Sequence, residues 1–172
     1  MSTRLSAAIR DIPDFPKPGI LFKDITPILG DPALFREAVE IFVTRHQGQG
    51  LGKIAAIDAR GFIFGAALAM RLNVGFVPIR KKGKLPFQTH DESYDLEYGS
   101  NALSVHVDAF RPGEKVLILD DLLATGGTAA AAARLVQRAG GVVVELDFLI
   151  ELTFLKGRDK LKGLPVFAAI AF

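Results

Sequence analysis

Apolar positions recur along this chain with two different periods. Leu34, Phe35, Ala38, Val39, Phe42 and Val43 fall at helical spacing behind Asp31-Pro32, an N-cap followed by a proline at the first helical position. A helix is therefore expected there, fading into Gln47-Gly48-Gln49-Gly50. Further helices are expected over residues 62–72 and, rich in alanine, over residues 128–139, where Gly140-Gly141 stops it. Short helices fit residues 3–9 and 155–161.

Between these lie runs too short and too uniformly aliphatic for helices: residues 53–58, 75–79, 116–119, 142–150 and 166–172. Such runs suit strands covered on both faces, as in parallel sheets. Residues 94–98 and 102–107 read as a strand pair around Gly99-Ser100, with Leu103, Val105 and Val107 alternating with Ser104 and His106. Residues 11–19 hold Pro13, Pro16 and Pro18 and read as an ordered, extended arm. Residues 81–92 have charge, glycine and proline but no period, and read as a long mobile loop. The alternation of strands and helices predicts an α/β fold with a mostly parallel central sheet flanked by helices.

Length and composition narrow this further. A chain of 172 residues, 49% hydrophobic, is one domain spanning residues 1–172 and needs no covalent staples. It has no cysteine, which excludes disulfides and zinc–thiolate sites. The first residues lack a secretory apolar core, and no apolar stretch approaches bilayer length, so a cytoplasmic protein with no membrane partner is expected. A net charge of +2 is too small to argue for nucleic acid. The cluster Arg80, Lys81, Lys82 and Lys84 is either a solvated loop or an anion-binding one. His46, His90 and His106 are too scattered to suggest a metal site.

The chemistry concentrates in residues 116–128. An aliphatic run ends in Asp120 and Asp121, and the loop Ala124, Thr125, Gly126, Gly127 and Thr128 opens a helix. Uncapped amides at a helix start, glycines and two hydroxyls suit a phosphate monoester. No lysine follows the glycines, so this is not a Walker loop. Carboxylates facing a phosphate would repel it, whereas they accept readily from sugar hydroxyls. A ribose 5-phosphate, held at both ends, fits the whole segment.

This segment resembles the phosphoribosyl pyrophosphate motif of type I phosphoribosyltransferases, and its form Asp-Asp-Leu-Leu-Ala-Thr-Gly-Gly-Thr resembles the adenine branch. Residues 14–27, 58–65, 79–86, 93–99 and 151–161 also resemble that branch, in unbroken order. The resemblance implies transfer of ribose 5-phosphate from 5-phosphoribosyl 1-pyrophosphate to N9 of adenine, giving AMP and pyrophosphate in purine salvage. It implies Mg2+ held mainly by substrate oxygens and water, a homodimer, an N-terminal base-binding arm over residues 1–30 and a mobile hood loop over residues 81–98.

Roles follow by position. Asp58, Ala59 and Arg60, with Arg80, Lys81 and Lys84, are expected to meet pyrophosphate, and Arg60 to act in catalysis through its planar fork of donors. The resemblance implies a strained peptide near Ala59 and an Arg80 that reaches across a dimer interface. Asp120 and Asp121, with residues 124–128, are expected to hold the ribose and its 5-phosphate. Leu21, Phe22 and Lys23 are expected to bind adenine, Phe22 by stacking. Arginine is common in relatives where Lys23 stands here, so main-chain contacts rather than its side chain are expected. Glu97 is expected to meet N7 and assist proton movement, and Tyr98 to help close the lid that keeps water from a cationic transition state. Transfer to another purine base and a non-catalytic sensor of the pyrophosphate donor are the competing readings.

Overall fold

The computed structural model describes residues 3–95 and 100–172. After a short helix α1 (Thr3–Ala8), strands β1 (Arg10–Pro13) and β2 (Leu21–Asp24) pair antiparallel as a two-stranded arm. The proline-rich stretch is thus a hairpin, with Phe15-Pro16 as a cis peptide at its turn. Helices α2 (Thr26–Gly30) and α3 (Pro32–His46) follow. The Asp31 carboxylate accepts from the amides of Ala33 and Leu34 at 2.7 and 3.1 Å, so the expected cap forms.

The rest of the chain builds β3 (Lys53–Ile57), α4 (Gly61–Leu72), β4 (Gly75–Lys81), β5 (Thr89–Asp95), β6 (Ser100–His106), β7 (Lys115–Leu123), α5 (Gly127–Arg138), β8 (Val142–Glu151) and β9 (Val166–Ala171). Seven strands order as β5-β6-β4-β3-β7-β8-β9. The run from β4 to β9 is parallel, while β5 and β6 add an antiparallel edge. Helices α3 and α4 cover one face, where Phe42, Phe64, Leu68, Leu117, Leu119 and Leu149 pack together. Helix α5 covers the other, with Ala129–Ala133 all buried against Ile57, Val116, Ile118, Leu146 and Phe148. A fully buried phenylalanine such as Phe42 contributes about 2–3 kcal/mol by leaving water.

Three expectations change. Residues 89–92 are strand rather than loop, because β5 pairs with β6 along its whole length from Thr89↔His106 to Asp95↔Ser100. Its polar residues are matched by partners far away in sequence: the Ser104 hydroxyl donates to Asp91 at 2.7 Å, and Arg134 reaches Glu92. Ser104, which alternates with apolar Leu103 and Val105, is fully buried with that bond as its partner. Strand β7 continues past Leu119 to Leu123, since Asp120, Leu122 and Leu123 all pair with β8, so the acid pair lies inside the strand. Residues 153–161 form two 3-10 turns, Thr153–Leu155 and Gly157–Leu161, because Lys156 takes a left-handed conformation between them.

Candidate active site

The loops after β3, β7 and β8 all leave the carboxyl end of the parallel sheet, the end at which open α/β sheets bind ligands. Asp58 and Ala59 are joined by a cis peptide in the first of these loops. The Asp58 amide donates to the Ile79 carbonyl at 2.9 Å, and its carboxylate accepts from Arg80 Nε at 3.0 Å. Arg80 Nη1 also donates to the Lys84 carbonyl at 2.9 Å, so Arg80 ties the first loop to the basic segment.

Arg60 connects the remaining parts. Its Nε lies 2.7 Å from Asp121 Oδ2, and its guanidinium carbon stands 5.0 Å from the centre of the Phe22 ring. The close approach of this loop to β7 needs Gly61: a β-carbon there would sit 2.9 Å from both Asp120 Oδ1 and the Leu119 carbonyl oxygen. Asp120 Oδ1 accepts the Asp121 amide at 2.9 Å. Asp120 is half-buried and lines a small cavity. Burial pushes its carboxyl well up, and the neighbouring Asp121 charge pushes it further. Burial also raises Asp121, against the opposing pull of Arg60.

The loop after β7 forms a cavity of about 80 Å³ lined by Asp120, Leu122, Ala124, Thr125, Gly126 and Thr128. Gly126 takes φ +79° at the start of α5, and no side chain caps the helix. The first-turn amides of α5, with the helix dipole behind them, therefore remain available to an anion. The structure thus brings together Arg60, the acid pair and the loop 124–128.

Thr125 also lines a second, largely apolar cavity of about 360 Å³, shared with Gly19, Ile20, Leu21, Leu152, Phe154 and Leu155. Phe154, 69% exposed, forms part of the wall of this open pocket. Sequence reading missed Leu152, Phe154 and Leu155. Their signal was an apolar cluster just past a strand's carboxyl end. Leu21 lines this cavity, whereas Phe22 packs edge-on to Phe15 at 5.1 Å and beneath Arg60. The Lys23 ammonium is taken up by Asp11 at 2.7 Å and by the Phe172 ring at 3.9 Å. Its side chain is thus engaged by β1 and by the C-terminal Phe172.

Glu97 and Tyr98 lie outside the described residues. Lys81 and Lys84 are exposed at the end of β4 and just beyond it. Among the described residues, one group of metal-ligating type occurs: His46, Glu145 and Asp147, with ligand atoms within 4.8 Å of one another. His46 lies 101 positions from Asp147, so sequence spacing could not show the group. Both Glu145 oxygens are already held by Arg45, at 2.6 and 2.9 Å, and His46 Nε2 lies 2.7 Å from Asp147 Oδ2. The group is an ion network between α3 and β8. No helix among the described residues is long and apolar enough to cross a membrane.

A model of the phosphoribosyl transferase domain matches residues 28–160. An adenine phosphoribosyltransferase of Roseiflexus sp. strain RS-1 is 55% identical over 172 residues, covering all of both chains. The crystal structure of adenine phosphoribosyltransferase from Thermoanaerobacter pseudethanolicus superposes with a TM-score of 0.95 at 53% identity, covering 98% of each chain. That of the Saccharomyces cerevisiae enzyme, complexed with an imino-altritol bisphosphate and adenine, gives 0.93 at 42% identity over 96% of each chain. The chain belongs to the phosphoribosyl transferase family, and within it to the adenine phosphoribosyltransferases.

Proposed function

We propose that this chain transfers ribose 5-phosphate from 5-phosphoribosyl 1-pyrophosphate to N9 of adenine, releasing pyrophosphate and forming AMP. The observation that carries the reading is Thr125, whose place in both cavities joins an anion-holding helix start to an apolar pocket. A nucleotide has the same two parts in the same order. The 5-phosphate is assigned to the amides and hydroxyls of residues 124–128, and the ribose hydroxyls to Asp120 and Asp121. The base is assigned to the cavity walled by Leu21, Leu152, Phe154 and Leu155, with Phe22 assigned as a stacking face. This wall is apolar enough for a purine face, while the backbone near Leu21 and Lys23 reads its edge.

Pyrophosphate departs with dense negative charge. Asp58, Ala59, Arg60, Arg80, Lys81 and Lys84 are the groups that meet it, Arg60 through a planar fork of donors. Asp121 holds the Arg60 Nε at 2.7 Å, which fixes the direction of that fork. Magnesium would supply neutralising charge to the pyrophosphate oxygens. The hard carboxylate oxygens of Asp120 and Asp121 suit it, but Asp121 is engaged by Arg60. We therefore assign the ion mainly to substrate oxygens and water. Glu97 is assigned proton movement at N7, and Tyr98 and the rest of residues 81–98 the exclusion of water while positive charge develops at the anomeric carbon.

A homodimer fits the exposed apolar face of α4, where Ile63 and Met70 lie two turns apart. Sedimentation at twice the chain's 18.5 kDa tests that part. A cytoplasmic location fits the absence of cysteine. The decisive experiment is a panel of bases incubated with the pyrophosphate donor and magnesium. AMP from adenine, with little product from hypoxanthine, guanine or xanthine, is expected; absence of turnover with adenine would overturn the assignment.

A further inference from the structure

The segment that leaves β8, residues 152–158, touches both halves of the site. On one side Leu152, Phe154 and Leu155 wall the larger cavity. On the other, Gly157 lies directly on the phosphate loop. A β-carbon on Gly157 would collide with the Ala124 carbonyl oxygen and come within 3.0 Å of Leu123 Cδ1. Conversely, a β-carbon on Gly126 would collide with the Gly157 carbonyl oxygen and sit 3.0 Å from its carbon. Gly126 has a second reason to be glycine, its φ of +79°. Gly157 has no left-handed dihedral, so backbone-to-backbone contact is what its missing side chain permits.

The segment has little slack. The Leu152 amide donates to the Leu123 carbonyl at 2.9 Å. Lys156, at φ 52°, turns the chain toward the loop. Arg158 then anchors the far side: Nε and Nη2 donate to the Glu151 carboxylate at 2.7–3.0 Å, and Nη1 to the Val166 carbonyl at 2.9 Å. The base-cavity wall and the phosphate loop are therefore two sides of one braced turn.

We infer that Gly157 is a positioning residue that sets the spacing between the phosphate loop and the base cavity. The inference rests on the reading above, in which these hold the 5-phosphate and the base. A nucleotide has a fixed distance between its phosphate and its base, so its affinity depends on that spacing. Free adenine occupies one half only and does not sense it.

The test compares Gly157→Ala with Gly163→Ala, and with Arg158→Lys, which loosens the anchor without adding bulk. Gly163 has φ +86° and open space around its α-carbon, so its variant is strained without touching the loop. Calorimetry with AMP should show about tenfold or greater weakening for Gly157→Ala and a smaller loss for Arg158→Lys, because sub-ångström to ångström misplacement carries penalties of this order. Adenine binding should stay near wild type in both, and Gly163→Ala should lose melting temperature but keep AMP affinity. Amide hydrogen exchange of residues 124–128 in the ligand-free protein should accelerate in Gly157→Ala and Arg158→Lys only. Unchanged exchange there, or an equal AMP loss in Gly163→Ala, overturns the positioning role. Wild-type protein that neither binds AMP nor forms it overturns the functional reading instead, and the exchange comparison still decides the role of Gly157. Should Gly157→Ala not fold, Arg158→Lys carries the same comparison.

Discussion

Replacing His46 by leucine tests the ion network between α3 and β8. The His46 side chain and Asp147 are fully buried, 2.7 Å apart, and the second Asp147 oxygen has no partner. Leucine fills similar space but leaves the Asp147 carboxylate buried with neither oxygen engaged. Breaking a buried pair from one side costs about 3–5 kcal/mol. For a chain of this length, each kcal/mol shifts the melting temperature by roughly 2–4 °C. A loss on the order of 10 °C is expected, read by circular dichroism at pH 6, with urea titration giving the free energy. The double variant His46→Leu, Asp147→Leu removes both charges and should recover most of the loss. The pH dependence supplies a second check. Burial, the strongest influence, pushes His46 down, but the Asp147 hydrogen bond and the Asp147 and Glu145 charges together leave it above its ordinary 6.5. A raised cation holds its proton in the folded state, so its stabilisation is complete below pH 6.5 and lost as pH climbs through the folded value. Wild type should therefore lose stability over that range by a component absent from the leucine variant. A loss below about 1 kcal/mol, or a double variant worse than the single one, would refute an ionised, mutually supporting pair.

Three further outcomes are expected. Asp31→Ala should cost about 1 kcal/mol in urea unfolding, because two amides of α3 lose their acceptor, and should leave turnover unchanged. Arg60→Gln should lower kcat/KM for the pyrophosphate donor by about 10²–10³, as loss of a charged donor at a departing anion does; a fall confined to the adenine KM would remove Arg60 from the pyrophosphate role. Glu97→Gln should reduce kcat far more than melting temperature, and normal turnover would exclude Glu97 from proton movement.

Sequence alone conveyed much of the sheet, because wholly aliphatic runs such as residues 116–119 suit only strands covered on both sides. It also conveyed the glycine-rich turn of residues 124–128, whose glycines, hydroxyls and helix start are contiguous. What it concealed depends on partners distant along the chain. The polar strand β5 carries no hydrophobic period, and its partners Ser104 and Arg134 come from β6 and α5. Asp120 and Asp121 read as a strand end because charge normally marks one, whereas pairing with β8 carries the strand through them. The cavity wall at Leu152, Phe154 and Leu155 was invisible for a related reason. An apolar residue after a strand reads as core until the fold shows which side is open.

The alanine run of α5 has an effect beyond covering the sheet. Residues 129–133 are all buried, so the helix is gripped around much of its girth, and methyl groups act as the spacers that set its distance from β7 and β8. The amides offered to the anion are fixed to that same rod. An added branch on whichever of these positions faces the sheet would lift the rod and carry its first-turn amides with it, without altering those amides themselves. Sequence variation that retunes this enzyme for its donor can therefore arise behind the site, in residues chosen for being small.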